Sequence, residues 1–196
     1  MKKKILVACL CVALAVLTIA GTTLAYLTAT TGPVTNTFTV GNIDITLTET
    51  KPDNNQAKII PGVDIEKDPK VTVMANSEAC WLFVKVEEAN WPMFLETDGT
   101  TRKVSYSIDT GWTKGDDTNI PTNVYYRAVD AVTDNTSFCV LKGNNQYTNG
   151  VVTVSENLTK NEIRTIATQP TLTFTAYAVQ KAGFDTAAAA WAEVSK

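Results

Sequence analysis

From residue 34 onward the chain is written in period two: short runs of Val, Ile, Thr, Phe and Tyr, broken by Gly, Asn, Asp and Pro. A side-chain period of two places alternate residues on opposite faces, which a strand satisfies and a helix does not. Val34-Thr35-Asn36-Thr37-Phe38-Thr39-Val40 is the cleanest case, with Val34, Phe38 and Val40 on one face and three threonines on the other. At Gly41-Asn42 the parity shifts, and Ile43, Ile45 and Leu47 continue on the other register, as a bulge or tight turn at Gly41 would produce. Polar Lys51–Gln56 reads as a loop. Further strands are expected over Lys70–Met74, Cys80–Glu87, Lys103–Ile108, Val124–Val129, Ser137–Leu141, Val151–Ser155 and Thr171–Gln180. Turn signals separate them at Pro61-Gly62, Asp98-Gly99, Lys114–Asn119 and Lys142–Asn145.

Two short stretches break this pattern. Thr159-Lys160-Asn161-Glu162 is a capping box, followed by Ile163 and Ile166 at helical spacing and stopped by Pro170. Ala187–Val194, with Asp185 or Thr186 as its cap, places Trp191 and Val194 on one helix face. About nine strands with no βαβ alternation predict an all-β protein, an antiparallel jelly-roll-like β-sandwich carrying one or two short helices. No internal repeat and no second domain are evident.

The N-terminus reads differently. Lys2, Lys3 and Lys4 precede an apolar run from Ile5 to Ala20, then Gly21-Thr22-Thr23-Leu24-Ala25. This is the pattern of a secretory signal peptide over residues 1–25, slightly short for a bilayer span of roughly 20 residues. Thr23 and Ala25 suit the small-residue pockets of a signal peptidase, so cleavage is expected between Ala25 and Tyr26. A retained membrane anchor is the alternative, because helix length alone does not distinguish the two. Leu6-Val7-Ala8-Cys9 lies too close to the lysines to be a lipoprotein box. Residues 26–196 then form one extracellular domain, touching a membrane only through the uncleaved signal.

Without the three signal lysines the chain holds 14 basic against 20 acidic side chains, a formal charge of −6. That disfavours nucleic acid, whose partners present a basic face. Of the four cysteines, Cys80 and Cys139 remain after cleavage. Outside the cell they can pair. Cys80 also alternates with Leu82, Val84 and Val86, which suits an inert core thiol equally well.

The chain has no histidine. Ser-His and Cys-His nucleophiles and His-bearing zinc sites are therefore unavailable, and two cysteines cannot make an all-Cys zinc site. Gly-rich phosphate loops are missing too. Carboxylates remain: Asp64, Glu66 and Asp68 near Pro61-Gly62, and Asp116-Asp117 with Asn119 in a turn. Either group offers oxygens to Ca²⁺, but neither has the spacing of a calcium loop, and solvated turn acids are commoner. Trp81, Trp91, Trp112 and Trp191 are more readily explained by packing than by a sugar-binding cleft. The residues thus assign no catalytic group, metal or cofactor.

The order of short motifs resembles the camelysin/TasA family of Gram-positive surface and biofilm-matrix proteins, whose signals are cut by a SipW-type peptidase. Gly21-Thr22-Thr23-Leu24-Ala25-Tyr26-Leu27-Thr28 running into Phe38-Thr39-Val40-Gly41-Asn42-Ile43-Asp44-Ile45 is similar to that family's start. Ile60-Pro61-Gly62, Lys67-Asp68-Pro69-Lys70-Val71 and Ala75-Asn76-Ser77 before Trp81-Leu82-Phe83-Val84-Lys85-Val86 continue the likeness. So do Tyr125-Tyr126-Arg127, Ala176-Tyr177-Ala178-Val179-Gln180 and Trp191. The resemblance implies an exported jelly-roll domain that assembles into extracellular fibres by inserting its new N-terminal strand into a neighbour. Metalloprotease activity described for some members does not carry over, since there is no histidine and no Glu placed in a zinc-binding helix.

The expectation is therefore a secreted structural protein, not an enzyme. The strand around Val34, Phe38 and Val40, within residues 26–40, would complete a sheet edge in another copy or in a related matrix protein. A head-to-tail contact that does not close gives a filament. The same segment can instead pair within its own chain. A monomeric adhesion or ligand-binding module is the alternative function, and a carboxylate-based hydrolase a third. The chain ends Val194-Ser195-Lys196 without a sortase motif or hydrophobic tail, so polymerisation or a partner is expected to retain it at the surface.

Overall fold

The structure is a computed structural model, and it describes residues 41–50 and 58–194. These belong to a unit spanning Val40–Lys196, with Met1–Thr39 a separate unit. The leader, its cut at Ala25-Tyr26, the Val34–Val40 strand and the Lys51–Gln56 loop therefore lie outside the described residues. Ten strands and two helices follow in order: β1 (Ile45–Thr48), β2 (Ile65–Glu66), β3 (Lys70–Val73), β4 (Cys80–Ala89), β5 (Val104–Tyr106), β6 (Thr113–Lys114), β7 (Val124–Val129), β8 (Thr136–Cys139), β9 (Val151–Val154), α1 (Lys160–Thr165), β10 (Thr171–Gln180) and α2 (Ala187–Val194). All pairings are antiparallel, in three sheets ordered β1-β3-β8, β10-β4-β7-β6 and β2-β9-β5. The fold is all-β with two short helices.

β4 organises the molecule because both of its faces are covered. Cys80, Leu82, Val84 and Val86 point to Val71 and Val73 of β3, joined by Val129, Val140 and the half-buried Ile43, Ile45 and Leu47. Phe83, on the other face, packs with Ile120, Val124 and α2 residues Ala187, Ala190 and Trp191. Its ring centroid lies 5.2 Å from that of Trp191. A third cluster, Val104, Val152, Val154 and Leu158, belongs to the β2-β9-β5 sheet. Each cluster holds an indole fixed by its N–H. Trp112 donates to the Cys139 carbonyl at 2.8 Å, Trp81 to Phe184 at 3.0 Å, and Trp91 to Val104 at 3.2 Å.

Both expected helices form. Thr159 and Glu162 make the reciprocal capping box of α1, and Thr186 Oγ1 accepts from the Ala189 N–H to cap α2. Two strands were not legible in the sequence, β2 and β6, because two residues carry no detectable period. The expected run to Ile108 is shorter as a sheet strand: after Tyr106 the chain leaves β9 and bridges Leu141 through Ile108. Lys142 N donates to Ser107 O at 2.8 Å and Asp109 N to Val140 O at 2.9 Å, so this segment ties the third sheet to the chain beyond β8. Gly150 makes the entry to β9 possible. Its φ is +146°, and a Cβ there would stand 2.2 Å from the Lys67 carbonyl oxygen.

Candidate functional site

The sheet edges differ sharply. β2 and β6 are two residues long, β5 three, β1 and β8 four, and β6 carries Lys114. β10 is the exception, an edge strand of ten residues paired along its whole length with β4. Its sequence, Thr171-Leu172-Thr173-Phe174-Thr175-Ala176-Tyr177-Ala178-Val179-Gln180, contains no charge, proline or glycine. Charges and proline are what natural edges use to discourage further pairing.

Hydrogen-bond parity shows what this edge offers. Lys181 N donates to Ala79 O at 2.8 Å, and Val86 N donates outward from β4 to Asn123 O at 2.8 Å. Odd-numbered residues of β10 therefore bond β4, and Leu172, Phe174, Ala176, Ala178 and Gln180 turn their N–H and C=O groups the other way. No described strand pairs with that edge. Leu172, Phe174, Ala176 and Ala178 meanwhile point their side chains into the first core cluster, and Tyr177 packs edge-on against Trp191, centroids 5.7 Å apart. The edge is rigidly backed. The chain enters the domain near the far end of β10: Asn42 O accepts from Glu78 N at 2.9 Å, next to Ala79.

A second feature lies at the start of β10. A cavity of about 930 Å³ is bounded by β2, β5, β9, α1 and Pro170–Thr173, with Trp91 in one wall. Trp91 stacks edge-on against Tyr106 at 5.7 Å, whose hydroxyl donates to Glu88 at 2.8 Å. Burial pushes the Tyr106 phenol well up, and the Glu88 carboxylate adds to the shift. α1 is held by Lys103 Nζ on Glu162 Oε1 at 2.9 Å. The Glu162 carboxyl sits at about 2, stabilised first by the Thr159 N–H and then by Lys103.

Of the two readings left open for the cysteines, the structure has the free thiols. Cys80 and Cys139 are both free, so no disulfide joins them. Cys80 sits on β4 facing the first core cluster, while Cys139 on β8 lies opposite Lys70. Burial pushes both thiols up, away from the reactive thiolate.

The carboxylate groups act as braces. Asp64 accepts from Asn144 Nδ2 at 2.7 Å and Val154 N at 3.3 Å, and buried Asp68 accepts from the backbone and hydroxyl of Thr50. Asp116 accepts from Thr118 N at 3.0 Å and Asn119 N, which hold its carboxyl below the usual range and shape the turn at Asp117, φ +65°. Among the described residues no group of three or more His, Cys, Asp or Glu side chains is placed to hold a metal. No described helix is long and apolar enough to cross a membrane.

Comparison with protein-family models, curated proteins and solved structures finds no match to this chain.

Proposed function

We propose that this protein is a secreted structural protein of a Gram-positive cell surface or biofilm matrix, a fibre subunit of the camelysin/TasA type with a jelly-roll strand arrangement. Residues 1–25 direct export. Cleavage after Ala25 frees residues 26–40, and the strand around Val34, Phe38 and Val40 adds to another copy. The observation that carries this reading is the β10 edge: ten residues without charge, proline or glycine, turning five backbone donors and five acceptors away from β4. Fifteen extended residues span roughly 50 Å, ample for a strand of about 33 Å. Main-chain bonds along such an edge supply affinity, and alternate side chains supply register. Because donor and acceptor are different surfaces of one chain, the contact repeats without closing.

The test is electron microscopy and sedimentation of the protein from Tyr26 onward, beside a variant lacking residues 26–40. Fibres from the first and monomers from the second are expected. A strictly monomeric protein at high concentration would instead point to the adhesion or ligand-binding alternative.

A further inference from the structure

The cavity beside α1 is built differently from the rest of the core. Its walls are Ile65, Trp91, Val104, Val152, Ile163 and Leu172, and its volume of about 930 Å³ falls at the upper end of the range usual for small-molecule sites. Most of its lining residues are apolar, and the Trp91 N–H is already donated to the Val104 carbonyl. Lys58, Lys67, Gln169, Thr171 and Thr173 are the polar remainder, so a ligand with a long apolar part and one polar end matches this lining better than a wholly polar one.

The rim supplies a charge. Lys58 and Lys67 both line the cavity, and among the described residues no carboxylate does. Lys67 is engaged by Glu49 at 2.8 Å; Lys58 is exposed, with no ion pair among the described residues. The walls are also held in place. α1 is fixed by its capping box and by Lys103–Glu162, yet none of its residues is buried. Ile163 and Ile166 instead line the cavity half-exposed, as does Ile60 at 46 % exposure. Ile163 packs on the third cluster and, with Ile166 at the helix C-cap, still turns apolar surface into the cavity.

We propose that this cavity binds a long-chain aliphatic carboxylate, its alkyl chain along the isoleucines and Trp91 and its carboxylate at the Lys58 rim. The inference does not rest on fibre assembly, although Thr171–Thr173 belong both to the cavity wall and to the β10 edge.

The experiment titrates the protein, isolated as its host produces it, with the fluorescent polyene fatty acid cis-parinaric acid, reading energy transfer from tryptophan. Saturable one-to-one binding, displaced by palmitate and much less by hexadecylamine, is expected. Lys58→Glu should weaken palmitate about fivefold while leaving hexadecanol unchanged. Ile166→Trp, at a half-buried position, should block the probe while leaving the thermal melt within a few degrees. Removing residues 26–40 should leave affinity unaltered. Unsaturable binding, equal affinity for the amine, insensitivity to both substitutions, or binding that emerges only after residues 26–40 are removed would each overturn the proposal.

Discussion

The guanidinium carbon of Arg127 lies 3.9 Å from the centre of the Phe138 ring, and the two residues belong to different sheets. Arg127 is on β7 and Phe138 on β8, and the Trp112 ring stands 5.5 Å from the same carbon. Arg127 Nε is buried without a hydrogen-bond partner, and burial lowers the guanidinium's pKa. The charge is accommodated by ring faces, a geometry suited to a planar, weakly hydrated cation.

A double-mutant cycle on Arg127→Leu and Phe138→Leu should therefore return a coupling of ~0.5–2 kcal/mol in urea denaturation. Arg127→Lys should be destabilising rather than neutral, because an ammonium wants more water than this position provides. A coupling indistinguishable from zero would mean that the stacking is incidental.

Acid should loosen α1. Glu162 is held at about 2 in the fold, below the ordinary glutamate value, and Asp98 likewise at about 2 through Thr101 and the Thr100 N–H. Lowered carboxylates stabilise the fold above their unfolded pKa, and that contribution disappears as pH falls from about 4.5 toward 2. The stability gap between wild type and Glu162→Gln should accordingly be present at pH 7 and shrink below pH 4. Thr159→Ala, which removes the cap itself, should cost about 1 kcal/mol at pH 7. Melting curves collected across that range decide it; a gap that widens in acid would contradict the assignment.

The buried Cys80 thiol should be nearly inert, and the half-buried Cys139 thiol less so. With burial raising both pKa values, iodoacetamide at pH 8 should modify Cys80 at least about a hundredfold more slowly in the native protein than in urea. The thiols' contribution to stability should be flat below roughly pH 8.5 and fall as pH rises past the unfolded thiol value, since only the unfolded chain ionises easily. Peptide mapping under non-reducing conditions that recovered a Cys80–Cys139 bridge would contradict the free thiols.

The β10 edge predicts a separation of folding from assembly. Ala176 turns its N–H away from β4, so Ala176→Pro removes an outward donor without breaking the ladder, and proline is tolerated on edges of that kind. The substituted protein should keep its far-UV circular dichroism and lose fibres. Thr175→Pro, one residue away, removes a bond to β4 and should be clearly more destabilising than Ala176→Pro. Fibres persisting with Ala176→Pro would place the contact elsewhere.

The period-two pattern carried most of the fold: Val124–Val129 and Thr171–Gln180 match their strands residue for residue, as do Ala187–Val194 and the Thr159–Glu162 box. The alternation of Cys80 with Leu82, Val84 and Val86 suited a core thiol but did not separate it from a disulfide half. What the pattern could not reveal is adjacency. Whether Thr171–Gln180 is central or at an edge depends on which strands lie beside it, and its want of lysine and proline is the only local sign. The cavity was equally hidden, because Ile163 and Ile166 show only helical spacing in the sequence and the other lining residues come from distant strands. Arg127 gave no signal, since its partners Phe138 and Trp112 come from other strands and loops.

Each of the three hydrophobic clusters has an indole of its own: Trp112 in the first, Trp81 and Trp191 in the second, Trp91 in the third. Phenylalanine replacements that leave a single emitter would turn the molecule into its own set of local thermometers. Heating such variants would reveal whether the layers come apart as one or whether the small sheet around Trp91 opens first while the rest stays intact.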